Sequence, residues 1–472
     1  MKIRSTLILF LLWFVSFSQN KQIVYGFLEI PQSLILNPGG KVGNKGYIGV
    51  PLLSHIHVNG GTTGATVYDV FANDGVNFNT KLRNAVNSMN DNDYISFNQQ
   101  LDLFSAGFAF GSSYEKNEYL SFGLYQELDM INYFPQDYAI LALEGNQNNI
   151  NKVFDLSDFS LSAEVISVFH MGYNKKVNSK LNYGFRGKIY SSIVNVNSTR
   201  NKGRFVTVPG NDNVYDHIFD LNLKLRTSGI ASLDDDQNSD SEGAIKTIAN
   251  RVLFGGNLGL GFDVGFSYNI TKQWTVDGSL LDIGFIHHSK DVENHELKGD
   301  YVFEGINPIF PESNGSETAD DYWSEIEEDF EELFNIDVTN KSYTTWRPIK
   351  LNASLNYAFG EKKEEDCNCI KEELGYLNAT GVQLYAVNRP RRPQLALTTY
   401  YYRYLFKGLR LKATYTIDSY SFYNLGIGLS AHIGRMNFYA MADNFIQYKN
   451  IYDAEGVSLQ LGFNYIFKKN EN

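Results

Sequence analysis

Two histidines and two cysteines are the residues whose types and spacing could do chemistry in this 472-residue chain. His55 and His57 are two residues apart, so in a strand both would lie on one face, which is compatible with metal ligation. Cys367 and Cys369 flank one asparagine, and neither a disulfide framework nor a zinc site follows from two thiols alone. No Gly-x-Ser-x-Gly motif occurs. We therefore expect no catalytic residue, no cofactor and no metal site, and a protein that is not an enzyme. A metal site at the histidines, or a metal or redox role for the cysteines, is the weaker alternative.

Six polar residues are more informative, because each stands on the polar face of an alternating segment: Arg186, Lys188, Asp263, Arg410, Lys412 and His432. A Lys or Arg that faces lipid costs about 2–4 kcal/mol near the membrane midplane. We therefore expect these side chains to face a polar lumen. They could line an open pore, or they could pair and fill a narrow lumen, and the sequence leaves both alternatives open.

The elements that would position these residues are strands with a strict two-residue period. Ser458–Phe467 carries apolar residues on one face and Ser, Gln, Gly and Asn on the other. Gly259–Tyr268 repeats the pattern, with glycines, Asp263 and Ser267 opposite its apolar face: Leu260, Phe262, Val264, Phe266 and Tyr268. Many such strands in one chain are the signature of a transmembrane β-barrel.

Thirteen strand candidates between 97 and 468, with one more from 46–58 or 64–73, give fourteen strands. The predicted fold is thus all-β, a transmembrane antiparallel β-barrel of about fourteen strands, with twelve or sixteen as alternatives. The segment 215–227 also looks like a strand. Counting it as a spanning strand would move the long 131–158 loop to the side of the short turns, so we interpret it as part of an excursion above the membrane.

Barrels of this kind place short turns in the periplasm and long loops outside. Loops 131–158, 196–256 and 289–344 are therefore predicted to be extracellular. The last of them contains the acidic segment 312–337, which has eleven Asp or Glu and no Lys or Arg. Within it, apolar residues at helical spacing predict a short helix over 321–336. The charged loop 360–376, with both cysteines, falls on the periplasmic side.

The N-terminus has the features of a secretory signal over 1–18, with Lys2 and Arg4 before a short apolar run. Residues 19–45 are then expected to form a periplasmic or luminal plug segment, 46–468 the barrel, and 469–472 a tail. Export by a signal peptide and amphipathic strands together predict the outer membrane of a Gram-negative cell, with lipid as a partner. The net charge of −12 argues against nucleic acid as a partner.

Three N-terminal stretches, 27–40, 48–53 and 67–75, resemble a family of uncharacterised outer-membrane proteins defined only as a domain of unknown function. The first reads FLEIPQSLILNPGG, the second IGVPLL and the third VYDVFANDG. That family looks related to the PorP/SprF type, barrels linked to type IX secretion and gliding motility. The resemblance implies no catalytic residues.

From the residues and the resemblance together we expect a non-enzymatic accessory or partner-anchoring component, of type IX secretion or of surface-protein export. Its contacts with a periplasmic or surface protein would be made by 360–376 and 312–337. The alternative is a passive channel or a hydrophobic-substrate transporter of the outer membrane, which the charged luminal face favours.

Overall fold

The computed structural model describes residues 21–111, 117–210, 215–234, 241–303, 334, 336–361, 375–406, 408–418 and 420–467. The predicted signal peptide, the tail, the helix over 321–336 apart from Phe334 and Ile336, and the Cys367–Cys369 pair lie outside these residues. The same holds for nearly all of the two loops expected to contact partners.

In the described residues, twenty strands form one antiparallel sheet. They are β1 Gly46–Gly49, β2 Ile56–Thr62, β3 Tyr94–Phe110, β4 Glu118–Tyr133, β5 Val153–Asp155, β6 Ser160–Lys176, β7 Leu181–Pro209, β8 Tyr215–Ser228, β9 Asn257–Asn269, β10 Trp274–His288, β11 Val292–Phe303, β12 Asp337–Thr339, β13 Tyr343–Trp346, β14 Lys350–Glu361, β15 Tyr376–Val387, β16 Gln394–Phe406, β17 Leu409–Ile417, β18 Asn424–Ile433, β19 Met436–Asp443 and β20 Gly456–Phe467.

Short helices connect some of the strands: α1 Ser33–Leu36, α2 Val67–Phe71, α3 Phe78–Ser88, α4 Gln136–Leu143, α5 Ala231–Asp234 and α6 Ser241–Asn250. Irregular helical turns occur at Arg251–Gly255 and Phe445–Asp453. None of the helices in the described ranges is long and apolar enough to cross a membrane.

The sheet closes into a ring of fourteen strands, as predicted. β1 and β2 are two parts of the first barrel strand, and both pair with β3 on one side and with the last strand, β20, on the other. The ring then runs through β4, β6, β7, β9, β10, β14 and on to β20, with β13 extending β14 against β10. A closed ring leaves no unpaired edge between its first and last strands.

The alternative position of the first strand, 64–73, is wrong. This segment contains the helix α2, because Thr66 and Asp69 form a capping box: Asp69 N donates to Thr66 Oγ1 (3.2 Å) and Thr66 N donates to Asp69 Oδ2 (2.7 Å). Reciprocal caps of this kind favour a helix start. The chain leaves the ladder between β1 and β2, so the first barrel strand is also longer and less regular than expected.

The alternating faces point as the sequence predicts. In β9, Leu260, Phe262, Phe266 and Tyr268 are exposed on the outside of the ring, whereas Asp263 and Ser267 are buried inside it. In β20, Leu459 and Leu461 are exposed, and Ser458, Gln460 and Asn464 are buried. The outside of the ring is apolar and its interior is polar, which is the arrangement that a lipid surround requires.

β8, the segment of uncertain role in the sequence, is not a barrel strand. It pairs with the second half of β7, from Asn195 to Pro209, and with β11. The first half of β7 pairs with β6 and β9 inside the ring. With β5 and β12, these strands form a sheet that continues beyond the barrel wall, and we refer to it as the projecting sheet. We call this end of the barrel the loop end, and the opposite end, with Gly434–Arg435 and Thr271–Gln273, the turn end.

Candidate functional site: a plugged lumen

The N-terminal segment 21–45, here called the plug, lies inside the barrel. It joins the wall at the turn end, where Lys45 N donates to Phe467 O (2.9 Å). From there the chain runs inwards, and four of its apolar side chains are almost fully buried: Ile23, Val24, Phe27 and Ile30. They pack against Tyr439 and Met441 of β19, so the otherwise polar lumen has an apolar stripe that matches the plug.

Wall side chains hold the plug through its main-chain carbonyls. Arg186 Nη1 donates to Ile35 O (2.9 Å) and Arg186 Nη2 donates to Leu34 O. Ser279 Oγ donates to Leu36 O (2.6 Å). Further along, Lys412 Nζ donates to Tyr25 O (2.8 Å). These bonds satisfy carbonyls that have no strand partner, as buried backbone groups require.

Glycines in the wall provide the space in which the plug sits. A Cβ atom on Gly184 would lie 2.1 Å from Pro38 O, and one on Gly265 would lie 2.1 Å from Asn37 Oδ1. Asn174 Nδ2 donates to Pro38 O (2.7 Å) beside them. The glycines on the inner faces of β7 and β9 are therefore required by close approach of the Asn37-Pro38 turn.

Two side-chain contacts fix the plug further. The amides of Gln32 and Asn464 bond reciprocally, at 2.8 Å and 3.0 Å. Glu29 Oε1 lies 2.6 Å from Arg410 Nε and accepts a bond from the Tyr402 hydroxyl (2.9 Å). Both contacts join the plug to strands near the end of the sequence, so they form only when the ring is complete.

Above the plug, charges of alternating sign form a continuous series, here called the ionic chain. Consecutive members of the series form ion pairs, with nitrogen–oxygen distances of 2.6–3.3 Å for all pairs before the last. The last pair is also in direct contact. The members are, in order, Arg186, Asp263, Lys188, Asp282, Lys350, Glu127, Arg347 and Glu164. Four cations and four anions leave the series neutral, as buried charges must be.

The ionic chain crosses the lumen. Lys350 Nζ, on β14, lies 3.1 Å from Glu127 Oε1 on β4, and these strands are five positions apart in the ring. Nearer the loop end, Arg389 Nη1 lies 2.6 Å from Asp129 Oδ2, which joins β4 to the turn after β15. Side chains therefore bridge the lumen over the plug.

The predicted luminal residues take different places in this arrangement. Arg186, Lys188 and Asp263 belong to the ionic chain, and Arg186 also binds the plug. Lys412 is buried against the plug, and Arg410 contacts Glu29. His432 is half-buried near the turn end of β18 and is not part of either group.

Sequence reasoning missed Glu127, Glu164, Asp282, Arg347 and Lys350. Glu127 could have been found, because it follows the same two-residue period of β4 as the buried Tyr125 and Asp129. Asp282 could not, since β10 bulges between Leu280 and Ile283 and Asp282 adopts a positive φ of 59° there. A bulge shifts the inward face by one residue.

His55 and His57 are buried side by side, with ring centroids 6.4 Å apart. His55 Nδ1 lies 2.7 Å from the Tyr439 hydroxyl, and His57 Nε2 lies 3.5 Å from Ser458 Oγ. Within the described ranges, no three His, Cys, Asp or Glu side chains converge as metal ligands. Both rings thus make polar contacts inside the lumen.

A cavity of about 320 Å³ lies between the plug and the wall towards the turn end. The plug contributes Tyr25 and Glu29 to its lining, and the wall contributes Asp277, Gln383, Tyr400 and Lys412. This volume falls at the lower end of the range of small-molecule pockets.

A closed antiparallel ring with an apolar outside, a polar inside and a chain segment in its lumen defines a plugged β-barrel of the outer-membrane type. Residues 38–443 match the Family of unknown function (DUF5723), and the chain belongs to that family. No similar protein was found among curated proteins.

Solved structures with some similarity are also barrels. The chain is similar to a Pseudomonas aeruginosa FadL homologue, with 9% identity, a TM-score of 0.43 and coverage of 96% of this chain and 100% of that chain. The Ralstonia pickettii toluene transporter TbuX has 9% identity, a TM-score of 0.40 and coverage of 93% of this chain and 94% of that chain. The β domain of the Bordetella autotransporter BrkA has 9% identity, a TM-score of 0.28 and coverage of 90% of this chain and 100% of that chain. The substrates named here are those of the neighbours.

Proposed function

We propose that this protein is a gated passage for small molecules across the outer membrane, closed by its own residues 21–45. The observation that carries the proposal is that the segment 21–45, and not the wall alone, occupies the lumen and packs against its inner face. A purely structural anchor would need no such segment. The proposal develops the second of the two functions that the sequence leaves open, a channel or transporter of the outer membrane, and adds a gate to it.

The way in which the plug is held supports a movable gate. Its contacts with Arg186, Lys412 and Ser279 are hydrogen bonds to main-chain oxygens, which water can replace. At its C-terminal end the plug continues into β1 of the wall, where Lys45 N donates to Phe467 O (2.9 Å). The ionic chain stays with the wall when the plug leaves, except that Arg186 loses its carbonyl partners.

Planar-bilayer conductance tests the proposal. The unaltered barrel is expected to be closed or to open rarely, and a variant lacking residues 21–40 is expected to conduct steadily. In a third sample, Gln32→Cys and Asn464→Cys are joined by a short bifunctional thiol reagent, with Cys367 and Cys369 replaced by serine. That sample should be locked closed, and the uncoupled double variant serves as its control.

A barrel without residues 21–40 that stays closed could still be blocked by the ionic chain. The deletion is therefore also combined with Arg347→Ala and Lys350→Ala, which remove the cations that bridge to Glu127. Closure of both deletion variants would contradict the proposed passage.

An accessory or partner-anchoring role is the second candidate, and the projecting sheet favours it. Phe205 and Leu221 form its apolar core with Phe154, so the sheet is a packed layer beyond the barrel wall and not a loose loop. A barrel needs no such layer to close. A role in type IX secretion or surface-protein export is supported by the PorP/SprF resemblance alone.

Recovery of partners from outer membranes in mild detergent tests this candidate. We expect a partner to be captured by the full chain and lost when residues 198–227 are replaced by a short turn. Recovery of the barrel alone, with normal surface secretion in a deletion strain, would contradict an accessory role.

A further inference from the structure

The cavity beside the plug has the chemistry of a ligand site. Its lining combines tyrosine rings with hydroxyl, amide and carboxylate groups, among them Tyr25, Tyr400, Ser354, Asn356 and Gln383. Tyrosine faces contact the apolar face of a ligand, while hydroxyls and amides can both donate and accept hydrogen bonds.

One buried group points to a missing partner. Gln383 is 1% exposed, and its Nε2 donates to Tyr25 O (3.3 Å). Its Oε1 has no hydrogen-bond partner among the described residues, and the same holds for Glu29 Oε2 on the other side of the cavity. A buried acceptor without a partner costs about 1–3 kcal/mol, so these oxygens favour a bound donor.

Four of the five charged residues that line the cavity have partners within the protein, and the fifth, Lys272, is exposed. Lys41 Nζ donates to Thr275 Oγ1 (3.3 Å). Glu29 pairs with Arg410, Lys412 donates to the plug carbonyls, and Asp277 accepts from Ser354 Oγ (3.2 Å). A charged ligand would have to compete with these contacts. Glu29 Oε2 remains as a charged acceptor, and the other groups available inside the cavity are neutral donors, neutral acceptors and tyrosine rings.

We propose that this cavity binds a small uncharged polyhydroxylated molecule, of the size of a mono- or disaccharide. Its hydroxyls would donate to Gln383 Oε1 and Glu29 Oε2, and a ring face would lie on a tyrosine. The site rests on the proposed function in that the plug forms one of its walls and a saccharide would be the transported substrate. Binding itself requires no passage through the membrane.

The test is isothermal titration calorimetry on the full barrel in an amine-oxide detergent, because alkyl glycosides carry sugar headgroups. The probes are glucose, galactose, N-acetylglucosamine and maltose, with glycylglycine and toluene as comparisons. We expect at least one saccharide to bind and neither comparison probe to bind at the same concentration.

Two variants place the binding in the cavity. Ala379→Phe fills it from an inward position of β15 without removing a hydrogen bond, and should abolish saccharide binding. Gln383→Leu should weaken binding about tenfold, the equivalent of one unmet buried hydrogen bond. Val382→Phe and Leu384→Val, which face outwards on the same strand, are the matched controls and should bind as the unaltered barrel does.

Failure of all four saccharides to bind would overturn the proposal, as would binding of toluene or glycylglycine in their place. Saccharide binding that survives Ala379→Phe would also overturn it, because the ligand would then lie elsewhere. The conductance experiment is separate: a barrel that binds saccharide but never conducts contradicts the passage and leaves the site intact.

Discussion

Arg186 is the residue that connects the ionic chain with the plug. One Nη1 atom contacts both Asp263 Oδ2 and Ile35 O, each at 2.9 Å, so the same guanidinium ends the ionic chain and holds the plug. Asp263 in turn accepts from Asp282 N through its other oxygen (2.7 Å). Movement of the plug therefore changes the surroundings of a buried ion pair.

Replacement of Asp263 by asparagine should destabilise the barrel strongly. It removes the anion shared by Arg186 and Lys188, and a buried pair broken on one side costs about 3–5 kcal/mol. The measurement is the free energy of unfolding in urea, in lipid bilayers. Asp220→Asn breaks the exposed pair with Arg204 and should cost at most about 1 kcal/mol. Equal effects of the two changes would contradict the importance of the ionic chain.

Glu296 makes the projecting sheet sensitive to acid. Lys224 Nζ donates to its carboxylate (2.7 Å) and Arg200 contacts the other oxygen (2.7 Å), so the pKa of Glu296 is held below its usual range. The contribution of a depressed carboxyl is complete above its ordinary pKa and is lost as pH falls through the lowered one.

Glu296→Gln should therefore speed amide exchange in β8 and β11 at neutral pH, and should remove the extra opening that acid causes in the unaltered protein. Hydrogen exchange measured by mass spectrometry, with each variant compared with the unaltered protein at the same pH, checks this. Glu293→Gln on the same strand is the control. An acid response that persists in Glu296→Gln would rule out this carboxyl as its source.

At the scale of elements, β7 serves both the barrel and the sheet beyond it, and its glycines divide between two surroundings. Gly184 faces Pro38 of the plug, whereas a Cβ atom on Gly187 of the same strand would meet nothing within 4 Å. The two positions thus form a matched pair for testing the seat of the plug.

Gly184→Leu should expel the plug while the ring still forms, because the added Cβ atom would lie 2.1 Å from Pro38 O, a much closer approach than the 2.9 Å to Tyr173 O of the wall. Limited proteolysis with mass spectrometry should then find cuts within 21–45. Gly187→Leu and the unaltered barrel should be protected there, and all three should keep the heat-modifiable mobility of a folded barrel. Protection of the plug from proteolysis in Gly184→Leu would contradict the close contact between Gly184 and Pro38.

The sequence predicts the wall far better than its contents. The bounds of β9 and β10, 257–269 and 274–288, follow directly from alternation, because lipid outside and water inside impose the period on each strand separately. The pair of Lys350 and Glu127 is 223 residues apart in sequence. It depends on which strands face each other across the closed ring, and no local pattern contains that information.

The sequence predicts a periplasmic or luminal plug segment over 19–45, but it does not predict where the plug lies against the wall. Its seat depends on Gly184 and Gly265, which in the sequence are indistinguishable from other glycines of the polar faces. The sequence analysis does not predict the break between β1 and β2 either, although Pro51 lies in it and cannot donate a hydrogen bond to a strand ladder.

At the scale of the whole molecule, the long connections and the projecting sheet share the loop end, and the short turns share the turn end. If the usual barrel orientation applies, the loop end faces the outside of the cell. The plug then enters the lumen from the periplasm.

Cysteine labelling of intact cells checks this orientation. With Cys367 and Cys369 replaced by serine, Gln147→Cys at the loop end should react with a membrane-impermeant maleimide, and Arg435→Cys at the turn end should react only after lysis. Equal blot intensity of the two variants after lysis is the control. The reverse pattern of labelling would show that the barrel has the opposite orientation in the membrane.

The junction of the plug with β1 limits where the plug can go. Its roughly 25 residues could extend to about 80 Å when stretched, far more than the depth of the barrel. The segment is nevertheless bonded to the wall at Lys45, beside Phe467. In the proposed passage, this junction restricts release of the plug to the turn-end side and keeps the plug attached to the barrel. A protein that binds the released plug on that side would then hold the proposed passage open.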